Sequence, residues 1–163
     1  KGVADAEVAA AAVESMRRLN RDAALVLRQA GPGQVHACTD VTGFGLMGHA
    51  MEMALGSGVL MVIDVAAVPA LPGALALALD HTPGGGRTNR QYFGPRVSGL
   101  DAVSPSMAAL LFDPQTSGGL LAAVDPAAAV SLVDRLLAAG VPAVQVGEVA
   151  ASPTPGLRLR APG

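Results

Sequence analysis

The chain has 163 residues, 51% of them apolar and 15% charged, with a formal net charge of −2. That is enough apolar sequence for one sizeable core and too little charge for a disordered segment, so a single globular domain is expected. With no Trp, one Tyr, three Phe and Lys1 as the only lysine, the chain lacks both the stacking rings and the basic patch that nucleic-acid binding requires, and no nucleic-acid partner is expected.

Cys38 is the single cysteine, so no internal disulfide can form, which fits a reducing cytosol and a cytoplasmic location. It lies in an apolar run and is read as a small buried core residue rather than a nucleophile. The longest apolar passage, Val59 to Leu79, is interrupted by Asp64, Pro69 and Pro72. That is short of the roughly 20 uninterrupted apolar residues a membrane helix needs, so no membrane partner is expected. The chain begins at Lys1 and Gly2 with no initiator Met and no leader pattern, and it reads as a fragment or a processed domain.

From Ala4 to Leu19, the apolar residues Val8, Ala12, Met16 and Leu19 recur at spacings that predict one stripe of an amphipathic helix, with Glu14 and Arg18 paired on its outer face. Asn20 or Asp22 is positioned to cap a second helix, which Gly31, Pro32 and Gly33 terminate. HACTDVTGFGLMGHA, His36 to Ala50, then reads as a strand ending at Asp40, a turn, and a helix from about Gly43 to Leu55. Thr42 is an available N-cap for that helix. Free amides at a helix start attract anions. A carboxylate beside them suits a hard cation such as Mg2+, which takes oxygen ligands and keeps several waters. The alternative reading is that Asp40 only caps the turn. His36 and His49 flank Asp40, but a two-histidine, one-carboxylate metal site needs a convergence that spacing does not supply, and both are read as packing histidines.

Val59 to Val65 has the unbroken aliphatic run of a buried strand, and Leu71 to Leu79 predicts a short helix. His81 to Asn89, containing TPGGGRTN, has no hydrophobic period and predicts a Gly-rich loop, either approaching a phosphate or merely connecting elements. Ser106 to Leu111 is apolar enough to pack. FDPQTSGGLL follows, a polar turn crowding Asp113, Gln115, Thr116 and Ser117 ahead of a strand from Leu120 to Val124. Pro126 to Ala139 predicts a helix with an apolar stripe of Val130, Val133, Leu136 and Leu137. Val141 to Val149 and Leu157 to Arg160 predict closing strands, the last a half-exposed edge because Leu157 and Leu159 alternate with Arg158 and Arg160.

The motifs HACTDVTGFGLMGHA and FDPQTSGGLL, in that order and with TPGGGRTN between them, closely resemble signatures of the selenide, water dikinase (selenophosphate synthetase) family, over the C-terminal half of that family. The resemblance implies an α+β fold: the C-terminal domain of the aminoimidazole ribonucleotide synthetase (PurM)-like superfamily, a mixed sheet with helices packed against it, spanning residues 1–163 as one domain. It implies an ATP-dependent phosphotransferase that makes selenophosphate from selenide, ATP and water and releases AMP and phosphate. Asp40 matches the one metal-binding aspartate that this domain contributes. Thr39, Thr42, Gly43, Asn89, Asp113, Gln115, Thr116 and Ser117 are the accompanying candidates for phosphate or substrate binding. No catalytic residue is expected here, because the family's reactive Cys or selenocysteine lies in the N-terminal half, and the fragment alone is expected to be inactive. The full-length family members are commonly dimeric.

The sequence departs from the family at Gly86, usually Thr, and at Thr88, usually basic, while Asn89 matches. Thr88 could supply the missing hydroxyl from a neighbouring position. Two rivals are another ATP-dependent enzyme of the same fold, against which the DPQTSGG turn argues, and a noncatalytic interaction domain.

Overall fold

The computed structural model describes residues 3–161; Lys1 and Gly2, on which the fragment reading rests, lie outside them. The aliphatic run expected as a buried strand forms β2, Leu60–Asp64, with its three middle residues buried. It lies inside a four-stranded mixed sheet ordered β3-β6-β2-β5. Here β3 is Val97–Ser98, β5 is Gly147–Ala150 and β6 is Gly156–Arg160. β2 pairs parallel with β6 and antiparallel with β5, and β3 pairs parallel with β6. A second sheet is an antiparallel ribbon of β1, Val35–Asp40, and β4, Leu120–Val124, with Cys38 opposite Ala122 and Asp40 opposite Leu120. The architecture is α+β, as expected.

The core is organised around α3, Gly45–Ser57. Met47, Ala50, Met51 and Ala54 on this helix are almost completely buried in a cluster with Met61, Ile63, Leu157 and Leu159 of the sheet and Phe93, Leu111, Phe112 and Leu121 from elements around it. Each fully buried side chain of this size stabilises the fold by about 1.5–3 kcal/mol. Helices α4 (Ala74–His81), α5 (Gly84–Phe93) and α6 (Pro105–Leu111) follow β2 in the chain. α4 starts after Gly73 in a left-handed conformation, slightly later than the spacing suggests. Ser104 caps α6 by accepting from the Met107 N–H at 3.4 Å. Helix α7, Pro126–Ala138, packs with α2, Arg21–Arg28, where Arg135 reaches the Val26 carbonyl at 3.4 Å. No helix of the described residues is long and apolar enough to cross a membrane.

Several expectations are corrected. The first helix, α1, spans Ala6–Arg17 and has no fully buried residue. Val8 and Ala12 of its stripe are half-buried, with Val8 against Gly73, whereas Met16 is 40% exposed and Leu19, 77% exposed, lies beyond the helix, so only the first part of the stripe is covered. Arg18 lies past the helix and donates to the Gly140 carbonyl at 2.9 Å rather than pairing with Glu14. In α7 the buried residues are Ala128 and Leu132, whereas Val130 is 71% exposed. Val133 and Leu136 of the expected stripe are half-buried and Leu137 is exposed, so the covered face is rotated toward Ala128 and Leu132. β6 is an interior strand with Leu157 and Leu159 buried, because alternation reports the covered face of a strand and not its lateral neighbours. The strand expected over Val141 to Val149 begins only at Gly147, after an irregular segment containing Pro142, which has no N–H to donate to a ladder.

Cys38 is exposed rather than buried. β1 alternates in exposure, so His36, Cys38 and Asp40 share the open face, while Val35, Ala37 and Thr39 are half-buried on the other. His36 is therefore an exposed residue and not a packing histidine. The largest correction concerns TPGGGRTN, which is helix and not loop: α5 begins at Gly84 behind Pro83. Glycine disfavours a helix by about 1 kcal/mol relative to Ala, so packing must override propensity here. Gly85 and Gly86 lie against Pro114, and Phe93 is buried in the core beyond them.

Candidate functional site

Asp40 closes β1, and the chain beyond it is held by backbone bonds before α3 begins. The Val41 N–H donates to the Gly119 carbonyl at 2.9 Å, and the Thr42 carbonyl accepts from Gly45 at 3.0 Å and from Gln115 at 2.9 Å. Thr42 does not cap α3 as expected. Phe44 precedes the helix with no side-chain cap, and Thr42 Oγ1 instead lies 3.2 Å from His49 Nε2. Gly45 is required where it stands: its φ is +67°, and a Cβ there would lie 2.8 Å from the Phe112 carbonyl carbon and the Asp113 oxygen. The Thr39 hydroxyl donates to the Asp40 carbonyl at 3.3 Å.

The Asp113–Gly119 turn fits against this first turn. Gln115 folds its amide back, donating from Nε2 to the Asp113 carbonyl at 3.1 Å and to Asp113 Oδ2 at 3.2 Å. Burial pushes the Asp113 carboxyl above its ordinary range, and the Gln115 bond opposes that in part. Ser117 is in the left-handed region at φ +54°, a conformation that costs a residue with a Cβ. At Gly118 a Cβ would collide with the Val41 carbonyl oxygen, so the two turns can meet only over a glycine. Asn20 ties the outside of the turn by donating to the Gly118 carbonyl at 2.9 Å. Thr116 and Ser117 are exposed.

The third stretch joins through Asn89. Its side chain is 7% exposed, and Nδ2 donates to the Gly43 carbonyl at 2.9 Å and to the Phe112 carbonyl at 3.0 Å. One amide thus fastens the turn after Asp40 to the residue before Asp113. Gly86, where the family usually has Thr, packs toward the Asp113 backbone. Thr88 does not replace that hydroxyl, because its Oγ1 donates to Gly84 within the same helix at 3.1 Å.

The three motifs, distant in sequence, therefore form one unit, with Asp40 on the exposed face of β1. Among the described residues no three His, Cys, Asp or Glu side chains converge as a metal cluster. His49 is engaged by Thr42. A cation at Asp40 would thus receive a single carboxylate from this domain, which fits a hard ion whose remaining ligands are waters and phosphate oxygens. Cys38 is on the same open face; partial desolvation of its thiol and then the Asp40 charge push its pKa up, which disfavours the thiolate. Sequence reasoning missed the Thr42–His49 contact and the Asn20 tether, although the seven-residue spacing from a pre-helical Thr to a His on the helix was readable.

The family model described as AIR synthase related protein, C-terminal domain, matches residues 1–160. The chain belongs to that family. It is 47% identical to selenide, water dikinase from Pelobacter propionicus over 154 residues, 93% of this chain and 43% of that protein. It is 43% identical to selenide, water dikinase from Nitratidesulfovibrio vulgaris over 143 residues, 87% of this chain and 40% of that protein. The chain thus spans less than half the length of these curated relatives. Among solved structures, E. coli HypE superposes with a TM-score of 0.53 at 25% identity, over 83% of this chain and 34% of that one. These likenesses agree with the α+β, PurM-like fold expected from the motifs.

Proposed function

We propose that this chain is the C-terminal domain of a selenophosphate synthetase and contributes the Asp40 turn to its ATP site. The full protein would transfer a phosphoryl group from ATP to selenide, giving selenophosphate, AMP and phosphate. The observation that carries this reading is the locking of three motif stretches into one unit beside Asp40, in a chain so similar to selenide, water dikinases.

Phosphoryl transfer depends on alignment and on neutralising phosphate charge. Mg2+ supplies that neutralisation when bound, and Asp40 is the residue of this domain that would hold it. Of the first-turn amides of α3, the Gly45 N–H is already taken by the Thr42 carbonyl, so any attraction for phosphate oxygens would come from those that follow it. Gln115 and Asn89 fix the backbone around the carboxylate. Gly43, Thr116 and Ser117 are exposed on the same turns, whereas Thr39 lies on the opposite, half-buried face of β1 and would act only through its bond to the Asp40 carbonyl. The full-length protein works in the cytoplasm as a homodimer in this reading.

Phosphorus NMR of the full-length protein with ATP, selenide and Mg2+ tests the assignment. The wild type should form selenophosphate, AMP and phosphate, and Asp40→Asn should lose at least about ten-fold in turnover, about 1.4 kcal/mol of transition-state stabilisation. The 163-residue chain alone should form none. Selenophosphate made by the chain alone, or near-normal turnover of Asp40→Asn at limiting Mg2+, would overturn the reading.

A further inference from the structure

The residues between α1 and α2 grip both ends of the β4–α7 unit. Arg18 donates to the carbonyl of Gly140, just past α7, and Asn20 Nδ2 donates to the carbonyl of Gly118, just ahead of β4, each at 2.9 Å. Asn20 stands where the cap of α2 belongs, yet it makes no capping bond. An Asn at that position commonly bonds a free N–H of the first turn, whereas this amide is spent on a residue 98 positions away.

Gly118 is held from its other side by the chain that leaves Asp40. The Val41 N–H donates to the Gly119 carbonyl at 2.9 Å, and a Cβ at Gly118 would collide with the Val41 carbonyl oxygen. Asp40 itself lies opposite Leu120 in the β1–β4 register. The backbone at Gly118 and Gly119 therefore sits between the Asn20 amide and the residue next to Asp40. Ser117, immediately before it, is kept at a φ of +54°, and a residue in that region persists only where its surroundings fix it. A two-stranded ribbon does not fix its own end.

We propose that Asn20 is a positioning residue for Asp40: its amide holds Gly118, and through Gly118 and Gly119 it fixes Val41 and the carboxylate-bearing residue before it. This rests on the functional reading above, which gives Asp40 its task, and deepens it with a residue from outside the three motifs. Asn20 acts without touching the ligand.

Hydrogen exchange of the full-length protein reads the hold directly. Asn20→Ala and Asn20→Asp should each speed exchange of the Val41 amide about three- to ten-fold, the effect of one lost hydrogen bond. Ile63, in the interior strand β2, should change no more than the loss of global stability requires. Phosphorus NMR then gives turnover. Both variants should lose about three- to ten-fold, and neither should add to the loss in Asp40→Asn, because the residue they act on is already disabled. Asn20→Asp is the decisive variant: it keeps the size and the capping capacity of Asn and removes only the donor, so a residue that merely starts α2 would tolerate it. Arg18→Ala, which releases the same junction at Gly140, should keep turnover within about two-fold of wild type. Unchanged Val41 exchange in both variants, wild-type turnover in Asn20→Asp, losses additive with Asp40→Asn, or an equal loss in Arg18→Ala would each sink the assignment. Near-normal turnover of Asp40→Asn refutes the functional reading instead, and the Val41 exchange still decides whether Asn20 holds the strand end.

Discussion

Replacing Asn89 by Asp exchanges an amide that donates to two carbonyl oxygens for a carboxylate that can donate to neither. Both bonds, at 2.9 Å to Gly43 and 3.0 Å to Phe112, leave from Nδ2, and the side chain is only 7% exposed. Asn89→Ala removes the donor and leaves two carbonyls short of a partner, at a cost of about 2–4 kcal/mol given roughly 1–3 kcal/mol for a buried group left unsatisfied. Asn89→Asp adds a buried charge facing two oxygens and should cost more, about 3–5 kcal/mol. For a chain of this size, the Ala variant should melt roughly 5–15 °C lower. Urea unfolding with an unchanged slope and a lowered midpoint is the matching equilibrium reading.

The aspartate variant adds a pH signature. Its carboxyl would be favoured as the neutral acid, which can donate one hydrogen bond, so its folded pKa is raised above the unfolded value of about 3.9. The stabilising contribution of the proton is fully present below that unfolded value and is lost as pH rises through the folded one. Asn89→Asp should therefore gain stability relative to Asn89→Ala on acidification. Equal stability of the two variants at all pH values, or less than about 0.5 kcal/mol lost by either, would show that the amide is not the clamp between the turns.

Gly45→Ala should cost about 2–4 kcal/mol in thermal unfolding, since it meets both a left-handed backbone and the Phe112–Asp113 peptide; a neutral result would mean that the two turns can part without penalty. Ser117→Gly relieves the φ of +54° at some cost in chain entropy and should be neutral to about 0.5 kcal/mol stabilising, so a clear loss would reveal a structural contact of the hydroxyl. Asp113 is raised by burial, so its proton contributes stability below the unfolded pKa and that contribution fades as pH rises through the folded one. Asp113→Asn, always neutral and still able to accept from Gln115, should match or exceed wild-type stability at pH 7 and lose that advantage near pH 4, read by urea midpoints at the two pH values.

What could be read in advance was whatever local chemistry decides. The β1 to α3 hand-over, the buried β2 run and the polar turn before β4 each combine a hydrophobic pattern with turn residues, and all three formed where expected. α5 was illegible because its reasons lie elsewhere in the chain: three glycines form a helix only because Pro114 packs on Gly85 and Asn89 is drawn to Gly43 and Phe112. Cys38 misled because an apolar neighbourhood in sequence does not establish that both faces of a strand are covered. Thr42 fits a cap by type and position, yet its hydroxyl goes to His49, a choice between two local partners that spacing alone does not rank. The motif stretches were therefore legible, and which of their side chains are already bonded within the protein was not.

A two-stranded ribbon such as β1–β4 is marginal by itself, so a carboxylate at its end would wander unless the backbone beyond it were fixed elsewhere. Here the carbonyls of Thr42, Gly43 and Phe112 are bound by Gln115, Asn89 and Gly45, and Gly118 lets the opposing turn approach the Val41 carbonyl. Asn89 and Gln115, candidates for binding a ligand, thus spend their donors on the protein. Asp40 remains exposed beside them. Charge stabilisation is strongest when the stabilising group is held in place before the ligand arrives, since no reorganisation then has to be met during the reaction. In the proposed role, a free Asp40 carboxylate on a turn already fixed by these bonds would meet that condition before any ligand arrives.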